Sequence, residues 1–135
     1  MTSKTTINQL RWLAATLMFV AAMVMPSTAW AQTMYTVFDT ETGTLTFKYD
    51  SSKPETSTTQ MVYEVGEAAI TPTWITNHAS SITKVVFDES FKNARPKTCY
   101  DWFDGCKLLT EIEHLDYLKT ENVTSMRYMS FPRKS

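Results

Sequence analysis

Glycine, histidine and cysteine are scarce in this sequence, with three, two and two residues respectively. Three glycines are too few for the glycine-rich loops that cradle nucleotide phosphates. A zinc site needs three or four ligands at short spacings, but His78, His114 and the two cysteines form neither a Cys-x-x-Cys nor a His-x-x-x-His motif. Two cysteines also do not make a disulfide-rich scaffold. We therefore expect no catalytic residues, no cofactor and no metal site.

An excess of charge of one sign is missing as well. The chain has 13 basic and 14 acidic residues, which gives a formal net charge of −1 at neutral pH. Proteins that bind nucleic acid need a net basic surface to neutralise phosphates. The composition therefore argues against nucleic acid as a partner.

The longest apolar run lies near the beginning of the chain. Residues 12–25 contain a single polar residue, and two basic residues precede them. Ala29 and Ala31 form the small-residue pattern that signal peptidase cleaves, here before Gln32. The run is shorter than the about 20 residues of a membrane-spanning helix. We expect residues 1–31 to be a signal peptide, with no stable membrane span after its removal and with export to the periplasm, the cell surface or the medium.

Short strand patterns, rather than long helical periodicity, fill the next part of the chain. Residues 34–38 and residues 44–49 have strand composition, and the connection between them ends at Gly43, so they predict a β-hairpin. Further strands are predicted over residues 61–65 and 82–87. The fold class expected from these patterns is mainly β.

Apolar residues then recur at every third position, a spacing that fits neither an α-helix nor a β-strand. It is typical of a chain that coils around a core with one inward residue per short segment, as in solenoid repeats. The predicted inward residues are Leu109, Ile112, Leu115 and Leu118, followed after a polar gap by Val123, Met126 and Met129. Tyr117 and Tyr128 lie between these positions and are expected to face outward as aromatic binding residues.

This segment resembles the BspA-like leucine-rich repeats of bacterial surface proteins. It opens with the family's Trp-Phe-x-Gly-Cys element and ends with a Thr-x-Asn-Val-Thr-x-Met-x-x-Met element. The residues that carry the resemblance are Trp102, Phe103, Gly105, Cys106, Leu109, Ile112, Leu115, Leu118, Thr120, Asn122, Val123, Thr124, Met126 and Met129. The resemblance implies a non-enzymatic interaction module, whose partners are extracellular proteins or host-surface ligands.

The predicted organisation has four parts. Residues 1–31 form the signal peptide, residues 32–81 an N-terminal β region, residues 82–129 the leucine-rich-repeat-like segment and residues 130–135 a non-repeat tail. The predicted solenoid is short and incomplete, because the tail does not resume the repeat pattern. One solenoid coil cannot bury its apolar side alone. We expect it either to pack against the N-terminal β region or to self-associate through the uncapped repeat edge.

Other interpretations stay open on the sequence alone. The secretory route permits a disulfide between Cys99 and Cys106, but a buried Cys106 and a partly exposed Cys99 would explain both residues equally well. A truncated, non-functional fragment of a longer surface repeat protein is one alternative to a complete interaction module. A small secreted hydrolase or metal-binding protein that uses a cysteine together with His114 is the other.

Overall fold

A computed structural model describes residues 31–127 of the chain, and these residues form one mixed β-sheet with a single short α-helix. The strands are β1 (Thr33–Asp39), β2 (Thr44–Asp50), β3 (Gln60–Glu64), β4 (Lys84–Phe87) and β5 (Glu111–Glu113). The helix, α1, comprises Thr73–His78, and 3-10 turns follow at Ala79–Ser81, Glu89–Asn93 and Leu115–Tyr117. The strand order is β3-β1-β2-β4-β5. The expectation of a mainly β protein is confirmed.

The first two strands form the predicted hairpin. They pair antiparallel, with Asp39 opposite Thr44 next to the turn. The Asp39 carboxylate accepts hydrogen bonds from the backbone N–H groups of Glu41 and Thr42, which shapes the turn. Gly43 ends it at a φ of +72°, a left-handed conformation that glycine adopts without steric cost.

The last two strands extend the sheet in parallel and in register. Leu45 of β2 lies beside Val85 of β4, which lies beside Ile112 of β5. Residues between parallel strands must form a crossover connection. Val85 and Ile112 are 27 positions apart along the chain. Because β4 pairs with β2, the sheet continues across the boundary that the sequence predicts between the N-terminal β region and the repeat-like segment.

Residues 97–101 and residues 124–127 also lie side by side. The backbone N–H of Thr124 donates to the carbonyl oxygen of Lys97 at 2.9 Å. The Thr124 hydroxyl donates to the same oxygen at 3.1 Å, between residues 27 positions apart. The N–H groups of Cys99 and Asp101 donate in turn to the carbonyl oxygens of Ser125 and Arg127, each 26 positions later. The offset between these segments is therefore close to the 27 positions that separate β4 from β5.

Phe47 lies at the centre of the hydrophobic core. Its side chain is fully buried, and its ring packs against five other aromatic rings at centroid distances of 4.8 to 6.1 Å. Those rings belong to Phe87, Trp102, Trp74, Phe91 and Phe103. The Nε1 of Trp74 also donates to the carbonyl oxygen of Trp102 at 3.0 Å, which joins α1 to the repeat-like segment. The hairpin, the helix and the crossover thus share one core.

Several apolar residues that lie three positions apart are joined by the hydrogen bonds of turns. The backbone N–H of Cys106 donates to the carbonyl oxygen of Phe103, and that of Leu109 donates to Cys106. The N–H of Leu118 donates in the same way to Leu115. At these three steps, the spacing by three therefore corresponds to a turn closed by an i to i+3 hydrogen bond. Ile112 instead lies in β5.

Not every residue of the spacing is buried. Leu115 and Met126 are predicted to point inward, but they are 42% and 51% exposed. Leu115 follows His114, whose φ of +59° begins a 3-10 turn in which Tyr117 packs against the core instead. Met126 lies on the outermost described segment, so it has no further described layer to pack against. The outward orientation expected for Tyr117 is also wrong, because this residue is half-buried.

Candidate interaction surface

The second face of the sheet is formed by the strand side chains that point away from the core, and we refer to it as the open face. Tyr35 is buried on this face, whereas the residues of the two rows described below are half-buried or exposed. One row crosses all five strands and contains Val62, Val37, Thr46, Val86 and Glu113. Each of these residues is half-buried. The strand pairing fixes their backbones, so the row presents a surface of largely β-branched side chains.

A polar row lies beside it on the open face. It contains Gln60, Asp39, Thr44, Lys84 and Glu111. The Nζ of Lys84 lies 2.9 Å from a carboxylate oxygen of Glu113 and 3.5 Å from one of Glu111. The hydrogen bond to Glu113 raises the pKa of Lys84. One lysine between two carboxylates leaves this group with a net negative charge.

The edge of the sheet at β3 is covered by the preceding loop. The backbone N–H of Val62 donates to the hydroxyl of Thr56 at 3.0 Å. The carbonyl oxygen of Gln60 accepts a hydrogen bond from the N–H of Ser57 at 2.8 Å. Local partners therefore already use hydrogen-bonding groups that an edge strand would otherwise present to another chain. We refer to this side as the covered edge.

The edge at β5 is open within residues 31–127. The N–H of Thr110 donates to the carbonyl oxygen of Thr83 at 3.0 Å, toward β4. Backbone groups alternate in direction along a strand, so those of Ile112 also face β4, whereas those of Glu111 and Glu113 face away from it. No described strand pairs with β5 on that side. We refer to this side as the open edge.

The residues of the predicted repeat motif divide by burial. Trp102, Phe103, Cys106 and Leu109 are buried in the core, and Ile112, Leu118 and Val123 are half-buried against it. The exposed members are Gly105, Leu115, Thr120, Asn122, Thr124 and Met126. Gly105 has a φ of +72°, which explains a glycine at this position. Met129 lies outside the described residues.

The structure describes only some of the other predicted site residues. Tyr128 and Ala29 lie outside the described residues, and Ala31 and Gln32 are exposed at the start of the described range. Tyr117 does not stand free, because its ring stacks on His114 at 4.8 Å and the Nζ of Lys92 lies 4.8 Å from its centroid.

Both cysteines are free thiols buried in the core. Cys99 is therefore not partly exposed, and the disulfide left open by the sequence is absent from the structure. Each cysteine packs as a small apolar side chain. Burial raises the pKa of the Cys99 thiol to about 12, and burial together with the charge of Asp104 raises that of Cys106 to about 11. Neither thiol has the lowered pKa that activates a nucleophilic cysteine.

His78 joins α1 to the hairpin, a role that the sequence does not reveal. Its ring stacks on Phe38 at 4.3 Å, and its Nε2 lies 2.6 Å from the hydroxyl oxygen of Tyr63. Removal from solvent lowers the pKa of His78. The contact joins residues 15 positions apart, so no local pattern could have indicated it.

A small pocket beside Trp74 and Trp102 does not suit a metabolite. Its volume is about 130 Å³, whereas small-molecule sites usually start at about 300 Å³. Near it, a carboxylate oxygen of Asp101 accepts a hydrogen bond from the hydroxyl of Thr71 at 2.6 Å. The other oxygen of Asp101 is buried without a hydrogen-bond partner in the described part of the chain.

The described residues show neither a candidate metal site nor a candidate membrane span. Residues 31–127 contain no group of three or more histidine, cysteine, aspartate or glutamate side chains arranged to hold a metal ion. Within this range, no helix has both the length and the apolar character that crossing a membrane requires.

Comparison with models of protein families, with curated proteins and with solved structures finds no match for this chain. Its function is therefore inferred from the open face, the open edge and the repeated register.

Proposed function

We propose that this protein is an exported, non-enzymatic interaction module of the leucine-rich-repeat type that binds extracellular proteins or host-surface ligands. The observation that carries the proposal is the similar offset, 26 or 27 residues, of two separate pairings. Val85 lies beside Ile112 on the sheet, and Lys97 lies beside Thr124 elsewhere on the coil. A chain that returns to nearly the same position after a similar number of residues supports a solenoid arrangement.

In this interpretation, residues 84–110 form one coil and residues 111–127 begin the next. Turns of three residues carry the chain around each coil, and their apolar members supply the core. The hairpin packs on one side of the first coil through Phe47, which offers the apolar partner that a single coil needs. The resemblance to BspA-like repeats agrees with this arrangement.

The open face is the surface best suited to a ligand. Its backbone is held by the ladder of five strands, so little conformational entropy would be lost when a partner binds. The row from Val62 to Glu113 combines apolar and charged side chains, as protein-binding surfaces do. A sheet face of this kind, rather than a concave pocket, favours a macromolecular partner over a small molecule.

Binding to purified extracellular-matrix proteins tests the proposal. The exported protein is passed over immobilised fibronectin, laminin and collagen, and binding is measured by surface plasmon resonance. We expect saturable binding to at least one of them, weakened by about tenfold or more in Val86→Glu, since a charge in the middle of an apolar contact is costly. Leu108→Glu changes an exposed leucine outside the open face and should bind as the unmodified protein does.

Circular dichroism of both variants verifies that they are folded. A folded protein that shows no saturable binding to any of the three matrix proteins would contradict the proposal. Equal losses in Val86→Glu and Leu108→Glu would contradict the assignment of the ligand to the open face.

A further inference from the structure

We propose that the open edge accepts one additional parallel β-strand from a partner protein, and that it prefers a strand in which basic residues flank an apolar one. Strand addition of this kind joins two proteins through backbone hydrogen bonds and sets their specificity through alternate side chains. The proposal goes beyond the module described above, because the edge could take its strand whether or not the open face binds a ligand.

The backbone of β5 supplies the hydrogen-bonding groups. The N–H and carbonyl groups of Glu111 and Glu113 face away from β4, as the bond between Thr110 and Thr83 requires. A guest residue lying opposite Ile112 would donate its N–H to the carbonyl oxygen of Glu111. Its own carbonyl oxygen would accept from the N–H of Glu113.

The side chains next to these groups select the guest sequence. Leu45, Val85 and Ile112 form an apolar row on the core side of the sheet, and a guest residue opposite Ile112 would extend that row. On the other face, Glu111 and Glu113 share the single cation of Lys84. Guest residues opposite the two glutamates would lie on this face, where a basic side chain balances the remaining negative charge.

A second copy of this chain is a poorer guest. If two copies paired antiparallel through β5 with Ile112 at the centre, Glu111 of one copy would lie opposite Glu113 of the other. Like charges placed directly opposite each other destabilise a strand pair. The covered edge cannot serve as the guest either, because Thr56 already occupies the N–H of Val62.

A synthetic peptide tests the proposal directly. The probe is an acetylated and amidated peptide with a central Lys-Val-Lys sequence flanked by threonines, titrated into the ¹⁵N-labelled protein and followed by NMR. We expect shifts at residues 111–113 and slower hydrogen exchange of the Glu111 and Glu113 amides. A Glu-Val-Glu peptide, and a Lys-Val-Lys peptide N-methylated at valine, should each bind at least about tenfold more weakly, because one loses the charge match and the other a backbone hydrogen bond.

A charge-reversal variant provides a second measurement. Glu111→Lys turns the charge around Lys84 from negative to positive, and the exposed ion pair that it removes contributes little to stability. This variant should bind the Glu-Val-Glu peptide better than the Lys-Val-Lys peptide. The proposal is overturned if the two peptides bind alike, if neither affects the edge amides, or if raising the protein concentration alone protects those amides, since a second copy would then occupy the edge.

Discussion

At the scale of single residues, Gly43 joins the hairpin to the strand that follows the helix. Its carbonyl oxygen accepts a hydrogen bond from the N–H of Thr83 at 2.8 Å. A Cβ at this position would lie 2.8 Å from both the carbonyl oxygen of Ser81 and the hydroxyl of Thr83. The positive φ and the crowded surroundings therefore both require glycine at position 43.

Gly43→Ala should lower the free energy of unfolding by about 1–3 kcal/mol, because a side chain at positive φ is strained and meets backbone here. Gly66→Ala is the matched control, since a Cβ there has no atom within 4 Å. The control should change stability by no more than about 0.5 kcal/mol. Urea denaturation measures both values, and equal effects would contradict the account of the turn.

His78 should make stability depend on pH. Its pKa in the folded protein is lower than the 6.5 of a free imidazole, because burial disfavours the charged ring. The unfolded chain therefore binds more protons between these two pKa values. The contribution of His78 to the free energy of unfolding is therefore fully present above pH 6.5. It is lost as the pH falls through the pKa that His78 has in the folded protein.

We expect the decrease in unfolding free energy between pH 7.5 and pH 5.5 to shrink in His78→Gln. His114→Asn changes the other, exposed histidine, and asparagine tolerates the positive φ found there. This control should keep the decrease seen in the unmodified protein. If His78→Gln shows the same pH dependence as the unmodified protein, the half-buried imidazole of His78 is not its cause. Chemical denaturation at the two pH values provides the measurement.

At the scale of elements, four of the five strands could be predicted from the sequence, but the pairing between strands could not. Strand composition indicates β1, β3 and β4, and alternating apolar residues indicate β2. No local pattern shows that β2 pairs with β4, forty positions later, or that three residues at 111–113 form a strand. The core residues of the Trp102 segment could be predicted, but the exposure of Leu115 depends on the left-handed conformation of His114.

The covered edge provides a prediction at this scale. Thr56→Val removes the hydroxyl that bonds to Val62, so stability should fall by about 1 kcal/mol, the usual contribution of one hydrogen bond. Exposing the edge should also increase light scattering at high protein concentration. Thr56→Ser keeps the hydroxyl and should behave as the unmodified protein does. Scattering that is equal in the valine and serine variants would show that Thr56 does not protect the edge.

At the scale of the whole molecule, the hairpin and the repeat-like segment depend on one another. Phe47 comes from the hairpin, whereas Phe87, Phe91 and Trp102 come from residues predicted to form a separate part. The sequence suggests two regions because their apolar spacings differ. It cannot show that both spacings fill the same core, since such contacts link distant positions.

The proposed export predicts that the N-terminal part of the chain is removed. Expressed in a bacterium, the protein should be released from its leader so that mass spectrometry finds Gln32 at the new N-terminus. Ala31→Lys should abolish this processing, because signal peptidase requires a small residue before the cut. Trp30→Phe changes the neighbouring position, where size is tolerated, and should be processed normally. Recovery of an uncleaved, unmodified chain from the cell envelope would contradict the predicted signal peptide.

The covered edge and the open edge differ in whether another strand can be added to the sheet. A loop occupies the outer side of β3, so a strand inserted there would have to displace it. At β5, a further coil of the proposed kind could pair with the outer side of the strand without displacing a described strand. Tandem duplication of residues 84–110 would therefore lengthen the protein from one end only. Lengthening of the proposed solenoid would therefore be confined to the β5 side, while the hairpin stays unchanged.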